Sequence, residues 1–217
     1  MAGLDHSHLR PLLQVLTHMN HLFALAGLLG VAAITPGPNN LVVLRAAMQA
    51  GLRGALPAIA GVVLGGLLLL AVIAFGAGGL FTAYPSFQRW AGMAGALYLS
   101  WLGAALFVRA VATGSEDSTF GHGLPISTFG LIGFQFLNPK SWVMVLTALA
   151  TWPATGLRGH LPLAGLFVLI PTLCLLLWAV FGAWLARWLA RPVVRRSVDA
   201  VMGALLVACA VFLIPLN

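Results

Sequence analysis

Charged residues are so widely spaced in this chain that they divide it into long uncharged segments. Thirty-four residues separate Arg10 from Arg45, and 35 separate Arg53 from Arg89, in both cases without Asp, Glu, Lys or Arg. Similar runs continue to the C-terminus. A helix needs about 20 apolar residues to cross a bilayer, whereas β-barrel strands alternate apolar and polar residues over about ten positions. The continuous runs therefore predict transmembrane helices.

The composition excludes two other classes of protein. Of the 217 residues, 61% are hydrophobic and 7% are charged, whereas a soluble domain has about 25% charged residues. So few charges do not cover a water-facing surface, and such high hydrophobicity excludes intrinsic disorder. The net charge of +7 does not indicate a nucleic-acid partner, because the basic residues stand singly in predicted loops.

We predict an all-α integral membrane protein with six transmembrane helices. The domain organisation is an N-terminal extension (1–21), a first three-helix repeat (22–111), a connecting loop (112–125) and a second three-helix repeat (126–217). The predicted helices cover about residues 22–47, 55–80, 90–109, 126–149, 162–186 and 199–216.

Arginines in the predicted loops indicate the orientation in the membrane. Seven lie on one side and three on the other, so the positive-inside rule places both termini outside the cytoplasm. The first set is Arg45, Arg53, Arg109, Arg187, Arg191, Arg195 and Arg196, and the second is Arg10, Arg89 and Arg158.

Short sequence matches indicate an internal repeat. The four residues from Gly51 recur from Gly156, and a proline follows each at the same distance. Gly-Ala-Leu at Gly95 recurs at Gly203. Since each half has three predicted helices, the second half would cross the membrane in the opposite direction. Inverted repeats of this kind are typical of secondary transporters, which bind substrate between the halves.

The first predicted helix contains Thr-Pro-Gly-Pro-Asn-Asn at Thr35–Asn40. Prolines lack the backbone N–H and clash with the preceding turn, so we expect the helix to break here. Asn39 or Asn40 would cap the new half-helix, whose N-terminus carries a partial positive charge. The alternative is a proline kink that only shapes packing.

The fourth predicted helix contains a second interruption, at Asn138, Pro139 and Lys140. Asn is a good N-cap and Pro a good first helical residue, so a half-helix should begin here. Lys140 then lies near the positive end of a helix dipole, which is favourable when an anion binds there. Alternatively, Lys140 extends to the membrane surface.

Both interruptions together predict a binding site for a small zwitterion. The half-helix N-termini and Lys140 would bind a carboxylate. Freed carbonyls, the amide oxygens of Asn39, Asn40, Asn138 or Gln135, or the face of Trp142 would bind an ammonium group. The candidate substrate-binding residues are Pro36, Gly37, Pro38, Asn39, Asn40, Gln135, Asn138, Pro139, Lys140 and Trp142. Gly61 and Gly65 are interpreted as a helix-packing seam.

Several motifs resemble the lysine-exporter / homoserine-threonine-resistance (LysE/RhtB) family of bacterial amino-acid exporters. They are Thr35–Asn40, Gly95–Gly103 and Phe134–Lys140, and the likeness covers about residues 22–217. With Leu206–Val211, the first motif looks closest to exporters of neutral amino acids, including the cysteine/O-acetylserine type. The resemblance implies efflux to the periplasm, driven by an ion or the membrane potential. It assigns binding-site roles to Pro36, Gly37, Pro38, Asn39, Asn138, Pro139 and Lys140.

The expected partners are an amino acid or derivative as substrate, a coupling ion or the membrane potential, and the bilayer of the bacterial inner membrane. A homodimer is one possible assembly, and no cofactor is expected. One alternative function is nickel or cobalt export, which would use the N-terminal His6, His8, His18 and His21. An intramembrane enzyme or a structural protein are others, although the spans lack G-x-S-x-G, H-E-x-x-H and aspartate pairs.

Overall fold

The computed structural model is built from α-helices. It describes residues 9–77, 83–111, 127–152, 156–188 and 192–213. The seven α-helices in these ranges are α1 (Leu9–Ile34), α2 (Pro38–Val72), α3 (Pro85–Val111), α4 (Thr128–Leu137), α5 (Pro139–Thr151), α6 (Gly156–Leu185) and α7 (Pro192–Leu213). A π-helical turn (Ile73–Ala77) follows α2 and a 3-10 turn (Ala186–Trp188) follows α6. The described parts of the six predicted spans are helical apart from their ends and the two interruptions, which confirms the all-α fold class.

Helix lengths and apolar surfaces agree with a membrane environment. Pro38–Gly76 and Gly156–Trp188 are long and apolar enough to cross a bilayer. His21–Ile34, Met93–Val108 and Thr128–Leu137 are shorter apolar stretches. Large apolar side chains along the helices are widely exposed. In water such continuous apolar surface would drive association, whereas lipid covers it without cost.

The N-terminal part of the fold differs from the predicted boundaries. Helix α1 begins at Leu9, so helical structure extends well into the segment 1–21 that was predicted to be an extension. His18 and His21 lie on this helix, and His21 is exposed. The predicted connecting loop 112–125 lies outside the described residues.

Both predicted helix interruptions are present. Helix α1 ends at Ile34, and α2 begins at Pro38 after a short non-helical segment. Helix α4 ends at Leu137, and α5 begins at Pro139 after the single non-helical residue Asn138. A proline is the first residue of each new helix, where its missing N–H costs no hydrogen bond. The breaks therefore divide the first and fourth predicted helices, as the sequence indicates.

The first glycine of the repeated Gly-Leu-Arg-Gly sequence has a positive φ angle in both halves. The φ angle is 68° at Gly51 and 70° at Gly156, a left-handed region that glycine occupies readily. Gly51 produces a sharp bend within α2, and Gly156 begins α6. Pro57 and Pro162, at matching distances, lie inside the helices that follow. The two copies therefore share a positive φ at their first glycine and a proline inside the helix that follows.

Glycines let neighbouring helices approach closely. A Cβ added at Gly61 would lie 2.7 Å from the carbonyl oxygen of Thr128, and one at Gly65 would lie 2.6 Å from Cγ of Gln135. These contacts confirm the packing seam and bring the second part of α2 against α4. At Gly103 an added Cβ would lie 2.8 Å from the carbonyl oxygen of Gly203, where α3 crosses α7.

Arg45 lies in a helix, as the predicted span 22–47 implies, and not in a loop, where the arginine count placed it. It is inside α2 with 5% of its surface exposed, and it forms an ion pair with Asp199 of α7, which is 4% exposed. A buried charge is tolerated when an opposite charge neutralises it. The orientation count is therefore six arginines against three, and the interior does contain a carboxylate, although Arg45 neutralises it.

Candidate functional site

A cavity lies at the point where the two helix interruptions meet. Its volume is about 50 Å³, enough for several water molecules or a small solute. Its walls combine members of both hydrophobic core clusters with the polar residues of the interruptions. The lining residues are Ala32, Ala33, Gly37, Pro38, Asn39, Asn40, Val62, Val63, Gly66, Gln135, Asn138, Lys140, Ser141, Met144, Val145, Phe167, Pro171 and Leu175.

The break after α1 frees backbone carbonyl groups, and side chains from three other helices bind them. Asn40 of α2 donates from Nδ2 to the carbonyls of Ala33 (3.0 Å) and Thr35 (2.9 Å). Trp178 of α6 donates from Nε1 to the carbonyl of Ile34 at 3.2 Å. Lys140 of α5 also donates to Thr35, at 2.9 Å. These bonds remove the cost of leaving the carbonyls unpaired in an apolar environment and fasten the break in place.

The N-terminus of α2 is capped differently from the prediction. The N-cap is Gly37, which has no side chain, and no side chain among the described residues caps this helix. Asn40 points back to α1 instead, so the expected capping by Asn39 or Asn40 is wrong. In contrast, the Oδ1 atom of Asn138 accepts a bond of 3.1 Å from the backbone N–H of Lys140. That contact confirms the predicted cap of α5.

An amide network joins the two interruptions directly. Asn39 and Gln135 exchange hydrogen bonds through both their amide groups, each 3.1 Å long. Ser141 Oγ donates to the same Oε1 atom of Gln135 at 2.8 Å, and Nε2 of Gln135 also donates to the carbonyl of Leu131. Two donors thus saturate the acceptor lone pairs of Gln135. Gln135 therefore positions Asn39 and is not free to accept a bond from an ammonium group.

Lys140 carries the charge of the cavity. It is half-buried, and of its three N–H donors one is bound to Thr35. The other two have no acceptor among the described residues. A Cβ added at Gly37 would lie 3.2 Å from Nζ, so the ammonium group is adjacent to the uncapped N-terminus of α2. Two positive potentials next to each other favour the binding of an anion between them.

Most of the predicted binding residues line this cavity, but three do not. The three outside the lining are Pro36, Pro139 and Trp142. The prolines shape the interruptions without facing the cavity. Trp142 is buried in the second core cluster and donates from Nε1 to the carbonyl of Phe136 at 2.9 Å. The seven inside are Gly37, Pro38, Asn39, Asn40, Gln135, Asn138 and Lys140.

Sequence analysis missed several cavity residues. Ser141 gives no motif signal beyond its position after Lys140. Thr35, which does not line the cavity, was predicted only as part of the break, and its carbonyl is the acceptor for Lys140. Pro171, a proline inside an apolar helix, was a signal that could have been used, because it removes a helical hydrogen bond at the wall of the cavity.

The structure offers no support for metal export as the alternative. Within the described ranges no three His, Cys, Asp or Glu side chains come together. His6 and His8 lie outside those ranges.

Comparison with known proteins identifies the family. The profile of the LysE type translocator family matches residues 30–216. The cysteine/O-acetylserine efflux proteins of Salmonella typhimurium (strain LT2) and Escherichia coli (strain K12) are 33% and 32% identical over 187 residues, which is 83% of this chain and 91% of each relative. That of Klebsiella pneumoniae is 30% identical over 184 residues, 83% of this chain and 90% of the relative. No solved structure matches the chain significantly. The chain therefore belongs to the family of LysE type translocators and is a membrane transporter rather than an enzyme.

Proposed function

We propose that this chain exports small, neutral amino acids or their derivatives across the bacterial inner membrane. Support comes from the family and from the relatives named as cysteine/O-acetylserine efflux proteins, which are similar over most of both chains. The observation that carries the proposal is the ammonium group of Lys140, two of whose N–H donors have no acceptor among the described residues, beside the uncapped N-terminus of α2 at one small cavity.

The carboxylate of the substrate binds at this positive position. Its donors would be the two remaining N–H groups of Lys140 and the backbone N–H groups in the first turn of α2, which begin at Asn39 because Pro38 has none. Such charge-assisted hydrogen bonds are about twice as strong as neutral ones. The positive end of the helix dipole contributes in the same direction.

The ammonium group of the substrate binds to amide oxygens. Oδ1 of Asn39 retains one lone pair, and Oδ1 of Asn40 accepts no bond from the described residues. The lining residues include no Asp or Glu. A cationic side chain would thus have no opposite charge, whereas a neutral side chain fits the apolar wall of Val62, Val63 and Phe167. This arrangement favours neutral amino acids.

Alternating access of two inverted halves is the proposed mechanism. Each half contributes one interrupted helix and one left-handed glycine before a long helix. The halves meet through the pairs Thr35–Lys140 and Asn39–Gln135. These hydrogen bonds would break and be replaced by others when the cavity opens to the opposite side.

The count of six arginines against three supports a periplasmic position of both termini. Coupling of transport to an ion and assembly as a homodimer remain predictions.

The test is efflux of labelled cysteine and O-acetylserine from loaded proteoliposomes that contain the purified protein. Lys140→Ala should abolish efflux while insertion and folding are retained, because it removes the positive charge that binds the carboxylate. Arg158→Ala, which removes an exposed charge outside the cavity, is the matched control and should transport normally. Full efflux by Lys140→Ala would contradict the proposed site, and no efflux of any amino acid by the unmodified protein would contradict the proposed function.

A further inference from the structure

Gly66 lies on the wall of the cavity where other residues contribute side chains. It is one helical turn from Val62 and Val63 on the second part of α2, and all three line the cavity. Gly66 is half-buried, and a Cβ added to it would meet no atom within 4 Å. The space beside this glycine is therefore the open space of the cavity.

Packing does not explain this glycine, unlike its neighbours on the same helix. A Cβ at Gly61 or Gly65 would come closer than 3.0 Å to α4, so these positions require glycine. Gly66 has no such contact, and its φ lies outside the left-handed region that favours glycine. A glycine inside a helix is less stable than an alanine, and no contact at Gly66 compensates for that cost.

Other glycines with free space have a different environment. Gly27, Gly133 and Gly165 would also accept a Cβ without contact, but they are exposed on the outer helix surface and do not line the cavity. The combination of free space, partial burial and a place in the cavity wall distinguishes Gly66 from them.

We infer that Gly66 sets the upper size limit for the side chain of the transported amino acid. This inference rests on the proposed function. With the carboxylate bound between Lys140 and the start of α2, the side chain of the substrate extends along the apolar wall, and the missing Cβ of Gly66 leaves room for its end. In a cavity of about 50 Å³, one added methyl group removes a substantial part of the available space.

The expected effect is a change of selectivity. One methylene group in an apolar pocket changes discrimination by about 10–200-fold. Gly66→Ala should therefore reduce efflux of O-acetylserine relative to cysteine by about tenfold or more, because the acetyl ester is the longer side chain. Gly66→Val should remove efflux of O-acetylserine and weaken that of cysteine.

The experiment measures efflux of both labelled compounds from the same proteoliposomes, in competition, for the unmodified protein, Gly66→Ala and the control Gly165→Ala. The control adds the same methyl group on the outer surface and should leave the ratio unchanged. Thermal unfolding of each purified variant in detergent checks that Gly66→Ala is folded, as its free space predicts.

The outcomes separate this inference from the proposed function. An unchanged ratio in folded Gly66→Ala, with both compounds exported by the unmodified protein, would overturn the inference alone. Absence of efflux of both compounds by the unmodified protein would overturn the proposed function and this inference with it. An equal reduction for both compounds would also overturn the size limit, since it would indicate a general effect on transport.

Discussion

The two helix interruptions contain similar residues but leave their new helices in different states. Before α2 the N-cap is Gly37, and no described side chain caps the helix. Before α5 the N-cap is Asn138, whose side chain binds the backbone of Lys140. The first interruption therefore retains a positive helix end that is open to the cavity. At the second interruption the side chain of Asn138 caps the new helix, and Lys140 donates to the carbonyl of Thr35 at the first interruption. Two similar breaks thus have complementary roles, one as an open anion position and the other as the support of a cation.

The interruptions also differ in how many helices they join. The first has its freed carbonyls bound by side chains of α2, α5 and α6. The second is a single residue, and its cap is formed within the same segment. Removing a side chain that binds the freed carbonyls of the first break should therefore destabilise the fold more than removing the cap at the second break.

The largest expected effect on stability is that of Asn40→Leu. The substitution removes the side-chain donor of the Ala33 carbonyl, whereas the carbonyl of Thr35 still accepts a hydrogen bond from Lys140. Each unsatisfied buried group costs about 1–3 kcal/mol, so unfolding in detergent should shift to clearly lower temperature. Gln49→Leu, an exposed change of the same type on α2, is the control. Equal unfolding temperatures for the two variants would show that the first break does not depend on this side chain.

A smaller effect, confined to transport, is expected for Gly37→Ala. Its φ of −167° is accessible to any residue, so the backbone is not strained. The added Cβ would lie 3.2 Å from Nζ of Lys140 and would crowd the open helix end. We expect the KM for cysteine efflux to rise by about tenfold, the equivalent of about 1.4 kcal/mol, with little change in thermal stability. Gly27→Ala on the surface of α1 should have no effect, and an unaltered KM in Gly37→Ala would place the anion elsewhere.

The smallest effect is expected at the second break. Asn138→Ala removes a helix cap and should lower stability by about 1 kcal/mol, whereas Asn138→Asp retains a capping oxygen and should remain close to the unmodified protein. The same Asn138→Asp change adds a carboxylate beside Lys140 and should weaken efflux of zwitterions. If Asn138→Asp exported as well as the unmodified protein, the result would contradict the electrostatic complementarity inferred for the two breaks.

The location of the cavity followed from local rules, and so did seven of the 18 residues that line it. Pro38 and Pro139 start helices because proline cannot donate a backbone hydrogen bond, and this rule holds in any fold. The cap formed by Asn138 is also local, since donor and acceptor are two residues apart. The predicted pocket residues that line the cavity lie at or next to these breaks.

Predictions of what a particular side chain contacts were less successful. Asn40 turns to α1 instead of capping α2, because the carbonyls freed by the break lie within its reach. Trp142 donates to the carbonyl of Phe136 and does not line the cavity. Arg45 was assigned to a loop, since its buried partner Asp199 is more than 150 residues away in sequence. No local pattern contains the information for such pairs.

By itself the sequence determined that this chain is a bundle of apolar helices with two interruptions, because charge spacing and proline act over short distances that every fold must respect. Only the tertiary structure decided that Lys140 reaches the carbonyl of Thr35, 105 residues earlier, and that the end of α2 beside it is left open. Packing of α4 against the glycines of α2 brings the breaks together, and the charge of the site depends on that approach.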